Sequence, residues 1–181
     1  MLEDSQQQLM ELLDRSGAKL HALLTRITLR EDIAEELMQD LFIKLSRIGR
    51  SYAIDNWDAY ARRAAISLAF DWRRRQKRVT TGLDGLPEPA SDQNSPLSTL
   101  EHDEQIQEVL GVLGKINGSA RQAFVMRYLD QDSYDCIATH LGKTPQQIRA
   151  LCSRVMKFLR TQLGRNGMPS GNGKGMGNAG N

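Results

Sequence analysis

The sequence has few of the residues on which secreted and membrane proteins depend. Its two cysteines, Cys136 and Cys152, have a spacing that suggests neither a disulfide framework nor a metal site. A reducing cytoplasm is therefore the expected location. The N-terminus is polar and acidic, and the longest apolar run, residues 64–70, is far too short to span a bilayer. We expect neither a secretory signal nor membrane insertion.

Residues with catalytic potential are also scarce and scattered. The three histidines, His21, His102 and His140, lie in separate segments, and we interpret His140 as solvated or packed rather than catalytic. Asp130 and Asp132 flank a turn, so we interpret them as turn and capping residues. No paired acids share a predicted face at metal-binding spacing, and no glycine-rich phosphate loop follows a strand. These absences argue against an enzyme, such as a nuclease or recombinase, and we predict no catalytic residues, metal site or cofactor.

Charge is distributed unevenly along the chain. Residues 1–78 contain 14 Lys and Arg against 12 Asp and Glu, and residues 105–181 contain ten against four. Between them, residues 79–104 contain six acids and no cation. Two basic regions separated by an acidic connector indicate an extended polyanion as the partner, rather than a small substrate.

Apolar residues recur at spacings of three and four, which predicts an all-α fold. The residues predicted to be buried are Leu9, Leu12, Leu13, Leu20, Leu23, Leu24 and Ile27 in the first helix, Ile33, Leu37, Met38, Leu41, Phe42, Leu45 and Ile48 in the second, Ala120, Phe124 and Tyr128 in a later helix, and Ile148, Cys152, Val155 and Leu159 in the last. We predict two small helical domains joined by a flexible linker, with a helix-turn-helix in the second. The predicted boundaries are a helical domain at 1–78, an acidic linker at 79–103, a helix-turn-helix domain at 104–164 and a disordered Gly/Asn-rich tail at 165–181.

The segment from Asn56 to Arg78 combines aromatic residues with cations. Its periodicity predicts one apolar helix face, which contains Trp57, Ala61, Ala64, Leu68 and Trp72. Ile66 and Phe70 are predicted to project from the opposite face. The last six residues, 73–78, include five cations. Aromatic rings interleaved with guanidinium groups can hold phosphates and stack on bases.

The segment from Ser133 to Pro145 has the spacing of a helix-turn-helix. Ala138 is small enough for two helices to approach closely, and Gly142 supplies the tight turn. Thr144 and Pro145 are typical of a cap and a first helical position. The next helix would enter the major groove. Its predicted outward face contains Gln146, Arg149, Ser153, Arg154, Lys157 and Arg160.

With both modules placed, the chain resembles bacterial RNA polymerase sigma factors of the extracytoplasmic-function (ECF) group. The resemblance rests on residues 35–42 (EELMQDLF), 68–74 (LAFDWRR), 123–128 (AFVMRY) and 133–142 (SYDCIATHLG). It covers nearly all of the chain except the linker and the tail.

The resemblance implies three binding surfaces. The helix at 31–48 would bind core RNA polymerase through Asp32, Glu35, Glu36, Gln39 and Asp40. The helix at 56–78, with the loop at 49–55, would bind the melted −10 promoter element; its implied contacts are Tyr60, Arg62, Arg63, Ser67, Trp72, Arg73, Arg74, Arg75, Lys77 and Arg78. The helix-turn-helix would read the −35 element as duplex through Thr144, Gln146, Gln147, Arg149, Ser153, Arg154 and Lys157. Promoter DNA and core RNA polymerase are thus the implied partners, and an anti-sigma factor is a further implied partner.

Five positions depart from the family pattern. Ile66 and Ser67 stand where Arg-Asn is usual, Leu151 replaces a usual basic residue, and Met156 and Phe158 are apolar where cations are common. The target promoter sequence therefore does not follow from the resemblance. The alternative is a helix-turn-helix transcription regulator that binds duplex DNA without acting as a polymerase subunit. That alternative leaves the first 78 residues unexplained.

Overall fold

The computed structural model describes residues 2–51, 54–82, 97–116 and 118–166. The helices in these ranges are α1 (Leu2–Thr28), α2 (Glu31–Ser51), α3 (Trp57–Gly82), α4 (Leu97–Leu113), α5 (Gly118–Tyr128), α6 (Tyr134–Leu141) and α7 (Pro145–Asn166). No strand occurs within the described ranges, and the predicted all-α class is confirmed. None of the described helices is long and apolar enough to cross a membrane.

Helices α1, α2 and α3 pack against one another as a three-helix bundle. The tight turn between α1 and α2 is held by Thr28, whose buried hydroxyl oxygen lies 2.9 Å from both the Leu24 and the Arg30 carbonyl oxygens and can donate to either. The apolar stripe predicted for α1 is buried apart from the half-buried Leu13. In the stripe predicted for α2, Leu37, Leu41 and Leu45 are buried, but Phe42 is exposed and the others are half-buried. The core residues of these two helices are Leu9, Leu12, Leu20, Leu23, Leu24 and Ile27 in α1, and Ala34, Leu37, Leu41 and Leu45 in α2.

Helices α4 to α7 form the second group, in which α7 contacts each of the other three. The four residues predicted to be buried in the last helix, Ile148, Cys152, Val155 and Leu159, are all buried. Tyr128, which the sequence pattern placed inside, is 46% exposed. It stacks on Phe124 at the surface, with ring centroids 4.4 Å apart.

The two groups touch each other, because α3 packs against both α5 and α6. Buried side chains from all seven helices form one contiguous apolar cluster, α4 included through Leu110, Val112 and Leu113. Helix α3 extends to Gly82 and α4 begins at Leu97, so both helices reach into the range predicted for the linker. The rest of that linker, residues 83–96, and the tail beyond Asn166 lie outside the described residues, so their predicted flexibility and the domain boundaries stay predictions.

Candidate nucleic-acid interface

Helix α3 is fixed at its first turn by contacts to α1. The Asn56 side chain accepts a hydrogen bond from the Ala59 amide at 2.9 Å, as an N-terminal cap. The Asp58 carboxylate accepts from Ser16 Oγ at 2.7 Å and from Arg15 Nη2 at 2.5 Å. Because Ser16 is buried, this pairing determines where α3 begins relative to α1.

The apolar face predicted for α3 was partly wrong. Ile66 and Phe70, expected to project outward, are 0% and 2% exposed, whereas Leu68 and Trp72 are only half-buried. The cause is tertiary: α3 packs on α1, α2, α5 and α6, so several of its sides are covered. Ile66 is therefore a core residue, which accounts for an apolar side chain where the family pattern has Arg.

Helix α2 presents the acidic face implied to bind polymerase. The five residues of that prediction, Asp32, Glu35, Glu36, Gln39 and Asp40, are all exposed. Two large apolar side chains, Phe42 and Ile43, follow them at 41% and 46% exposure. An acidic surface beside exposed apolar groups suits a protein partner better than a nucleic acid, because phosphates would be repelled.

Within that face, Asp32 has an internal partner. Arg30 donates to its two carboxylate oxygens at 3.2 and 2.6 Å. This bidentate hydrogen bond lowers the pKa of the Asp32 carboxyl, which therefore stays ionised.

Three cations predicted to bind the −10 element have contacts within the chain. Arg62 Nη1 pairs with Asp132 at 2.5 Å and with Asp130 at 3.4 Å. Arg63 Nη1 donates to the His140 carbonyl oxygen at 2.9 Å. These contacts join α3 to α6 and to the turn before it.

The third of these cations, Arg73, points toward α1 and α4. It donates to the Ile27 carbonyl oxygen at 3.2 Å and to Gln107 Oε1 at 2.8 Å. Burial lowers the pKa of the Arg73 guanidinium. Arg73 is thus part of the packing between helices in this arrangement, whereas sequence reasoning grouped it with the exposed cations that follow.

The C-terminal part of α3 keeps the exposed cationic surface that was predicted. Arg74, Arg75, Lys77 and Arg78 are exposed, and Arg74 pairs with Asp71 on the same helix. The other predicted −10 residues, Tyr60, Ser67 and Trp72, are half-buried. The structure thus brings the cations of residues 74–78 together on one helical end and separates them from Arg62 and Arg63.

The helix-turn-helix has the local geometry that the sequence predicted. Ser133 Oγ accepts from the Cys136 amide at 3.2 Å as the cap of α6. Gly142 ends α6 in the left-handed conformation, with φ 61°. Thr144 and Gln147 cap α7 reciprocally: Thr144 Oγ1 accepts from the Gln147 amide at 3.2 Å, and Gln147 Oε1 accepts from the Thr144 amide at 3.0 Å.

The residues predicted to read the −35 element lie on the exposed side of α7. Thr144, Gln146, Gln147, Arg149, Ser153, Arg154 and Lys157 are all exposed. The Arg149 guanidinium lies over the Tyr134 ring at 5.1 Å, and Arg127 lies 4.6 Å from the same ring.

An open groove of about 480 Å³ runs beside Tyr134 and Arg149. It is lined by Tyr128, Tyr134, Arg149, Cys152, Ser153, Met156, Lys157 and Arg160. Cations and aromatic rings on one helix face suit a nucleic-acid backbone.

The contact between α3 and the turn before α6 is largely shielded from solvent. The side chains of Arg62, Asp130 and Asp132 are 15%, 12% and 16% exposed. Burial raises the pKa of the Asp130 carboxyl, although the Arg62 guanidinium opposes that shift. Arg26 of α1 also contacts this turn, because it donates to the Leu129 carbonyl oxygen at 2.8 Å. The two helical groups are therefore joined by a shared network of charged and polar side chains.

One group of side chains was missed by sequence reasoning. The ligand-type atoms of Asp132, Cys136 and His140, one from each residue, lie within 4.8 Å of one another. The sequence interpretation took Asp132 as a turn residue and His140 as solvated or packed. The four-residue interval between Cys136 and His140 was the signal that could have identified their proximity, since such residues share a helix face; Asp132 precedes α6 and gave no such signal.

Comparisons with known proteins agree with the motifs. No protein-family model matches the chain. It is 26% identical over 161 residues to the ECF RNA polymerase sigma factor SigE of Mycolicibacterium smegmatis. The aligned region covers 86% of this chain, and the chain spans about 61% of the length of that relative.

The chain was also compared with solved structures of other proteins. The structure of CnrH in complex with the cytosolic domain of CnrY superposes with a TM-score of 0.52 at 18% identity, over 89% of this chain and 90% of that chain. The sigma factor RpoE of Bartonella quintana, in complex with the anti-sigma factor NepR, gives a TM-score of 0.47 at 21% identity, over 90% and 98% of the two chains. The helical architecture is thus shared with CnrH, and the SigE relative supports an ECF sigma factor, as the sequence motifs indicated.

Proposed function

We propose that this chain is a sigma factor, which binds core RNA polymerase and directs promoter-specific transcription initiation. The observation that carries the proposal is the similarity to SigE over 86% of the chain. A continuous match of that extent includes both the acidic α2 and the helix-turn-helix of α6 and α7. Neither module alone would separate a sigma factor from other DNA-binding proteins.

The proposed polymerase-binding surface is the exposed face of α2. Glu36, Gln39 and Asp40 form its acidic part, and Phe42 and Ile43 supply apolar area. Apolar groups at the centre of a protein interface contribute most of its affinity, while charges at the rim determine which partner is accepted. This surface is distinct from the DNA-facing sides of α3 and α7.

The proposed −10 surface is α3, with its exposed cations at residues 74–78 and the aromatic side chains of Tyr60 and Trp72. Unpaired bases can be held by stacking and by cations along the strand, whereas paired bases cannot be reached in this way. The chain would therefore help to open DNA through binding energy, without chemistry of its own. Arg62 and Arg63 would join this surface only after their contacts to the turn before α6 and to His140 are broken.

The proposed −35 surface is the exposed side of α7. Gln146 and Arg149 lie in its first two turns, where a recognition helix approaches base edges. Glutamine is suited to adenine and arginine to guanine, while Arg154 and Lys157 further along would contact phosphates.

A protein partner of the anti-sigma class is proposed in addition. CnrH, which shares this fold, was solved in complex with the cytosolic domain of another protein, CnrY. The cytoplasm is the proposed location, as for any subunit that acts on promoter DNA together with polymerase.

Association with core RNA polymerase tests the proposal. Replacing Glu36→Lys with Asp40→Lys reverses two charges on α2 and should abolish co-elution with core enzyme on size-exclusion chromatography. The matched control is Glu11→Lys with Asp14→Lys, the same charge change at exposed positions of α1. Failure of the unmodified chain to associate, while it still binds duplex DNA, would favour the helix-turn-helix regulator.

A further inference from the structure

Asp132, Cys136 and His140 form a compact group beside the contact between α3 and α6. They follow one another at intervals of four residues, and one ligand-type atom of each lies within 4.8 Å of the other two. Local structure holds them in this register, because Ser133 caps α6 and Gly142 ends it. The proximity of Cys136 and His140 is thus a property of one short helix, whereas the Asp132 side chain, just before the helix, is held by Arg62 of α3.

The distances are close to those of a metal site. Cys136 Sγ lies 4.0 Å from each ring nitrogen of His140, so either nitrogen can turn toward a shared ligand position. A tetrahedral zinc ion, with bonds of roughly 2.3 Å to sulfur and 2.1 Å to nitrogen, separates these two atoms by about 3.6 Å. Small side-chain rotations would close the difference. All three side chains are half-buried, so an ion could reach them from solvent.

We propose that Asp132, Cys136 and His140 bind a divalent transition metal ion of the zinc class, with water as the fourth ligand. The donor set determines the class: thiolate and imidazole favour zinc, cobalt and similar ions, whereas magnesium and calcium prefer oxygen ligands throughout. On binding, the Cys136 thiol loses its proton to solvent and the thiolate coordinates the ion.

Arg62 competes with the metal for one ligand. Its guanidinium lies 2.5 Å from Asp132, and this ion pair must be given up when the carboxylate turns to the ion. Asp130 reduces the cost, because it already lies 3.4 Å from Arg62 and can remain its partner. Metal binding would therefore loosen, without abolishing, the charged contact between α3 and the turn before α6.

Cobalt titration of the full chain tests the site directly. Cobalt(II) added to the reduced, chelator-treated protein should bind at one ion per chain. It should also give thiolate-to-cobalt charge-transfer absorption, and zinc should remove both signals. Absence of charge-transfer absorption in a large excess of cobalt would overturn the proposal.

Single substitutions identify the ligands. Cys136→Ser should abolish the charge-transfer absorption, whereas Cys152→Ser, at the other cysteine, should keep it. His140→Ala and Asp132→Asn should each weaken cobalt binding by at least about tenfold, since even groups outside the first shell change metal affinity by that order. His21→Ala is the control for the histidine. Equal absorption in Cys136→Ser and the unmodified chain, both folded by circular dichroism, would contradict the assignment; if Cys136→Ser does not fold, Asp132→Asn decides.

The competition between Arg62 and the metal ion for Asp132 gives a second measurable effect on cobalt affinity, which would not arise if Asp132 served only to pair with Arg62. Arg62→Ala should tighten cobalt binding by about tenfold, because it removes a cation that contacts a ligand. Arg63→Ala is the matched control, since Arg63 donates to the backbone carbonyl oxygen of His140 and lies over the Tyr60 ring, and it forms no ion pair with Asp132. Weaker binding in Arg62→Ala would contradict the proposed competition. These measurements need neither polymerase nor DNA, so their outcome is independent of the proposed function.

Discussion

Arg62 in α3 and Asp132 before α6 are 70 residues apart in sequence, yet their side chains form an ion pair of 2.5 Å. The pair connects the helix proposed to hold the −10 strand with the module proposed to read the −35 duplex. Both side chains are mostly shielded from solvent. A cation proposed to face DNA is thus occupied within the chain, and it becomes available to a strand only when this contact opens.

Arg62→Ala should lower the free energy of unfolding by about 2 kcal/mol, because it leaves two largely buried carboxylates without their shared cation. Arg15→Ala is the matched control: Arg15 also forms an ion pair, with Asp58, but its side chain is 65% exposed. Its loss should cost about 0.5 kcal/mol or less. Denaturant unfolding measures both. Equal losses in the two variants would contradict the importance of burial at Arg62.

Two glycine substitutions should have opposite effects on stability. Gly142 has a φ of 61°, so Gly142→Ala should cost about 1 kcal/mol and disturb the turn of the helix-turn-helix. Gly111 lies inside α4, and a Cβ there meets nothing within 4 Å, so Gly111→Ala should add up to about 1 kcal/mol. Thermal unfolding followed by circular dichroism compares them, and a stabilising Gly142→Ala would be inconsistent with the left-handed cap.

Arg149→Ala should weaken binding to a duplex that carries the −35 element by about tenfold or more, the order expected for an arginine at a base edge. The substitution also removes the cation over the Tyr134 ring, while Arg127 remains on that ring. Fluorescence anisotropy measures the affinity, with Arg15→Ala as a control that removes a distant positive charge. Unchanged affinity for Arg149→Ala would remove this residue from the proposed −35 surface.

The two cysteines should differ in reactivity toward an alkylating reagent. Burial raises the pKa of both thiols above the usual 9.0, so little thiolate is present on either near neutral pH. The difference between them is access: Cys152 is 2% exposed, whereas Cys136 is half-buried. Peptide mass spectrometry after iodoacetamide treatment should find Cys136 labelled first, and labelling of Cys152 should increase with pH. Faster labelling of Cys152 at neutral pH would show that α7 is less well packed than described.

Local features of the fold could be predicted from the sequence. The caps at Gly142 and Thr144 depend on groups within a few residues of one another, and both were identified from residue type and spacing. The buried stripe of α7 was also predicted completely, because only one side of that helix is covered.

Long-range features could not be predicted in the same way. The buried side of α3 was misplaced at Ile66 and Phe70, because an alanine-rich helix covered on several sides has no single apolar face. The Arg62–Asp132 pair joins residues from different modules, and nothing in either local pattern indicates it. Arg73 was interpreted as exposed for the same reason, although it donates to a carbonyl oxygen of α1.

Reconstituted transcription tests the central claim most directly. Core RNA polymerase with this chain, on genomic fragments, should produce transcripts from defined start sites that core enzyme alone does not produce. The same reaction with Glu36→Lys and Asp40→Lys together should yield none of them, while Glu11→Lys with Asp14→Lys should retain them. Identical transcripts with and without the chain, from a preparation that still binds duplex DNA, would contradict the assignment as a sigma factor.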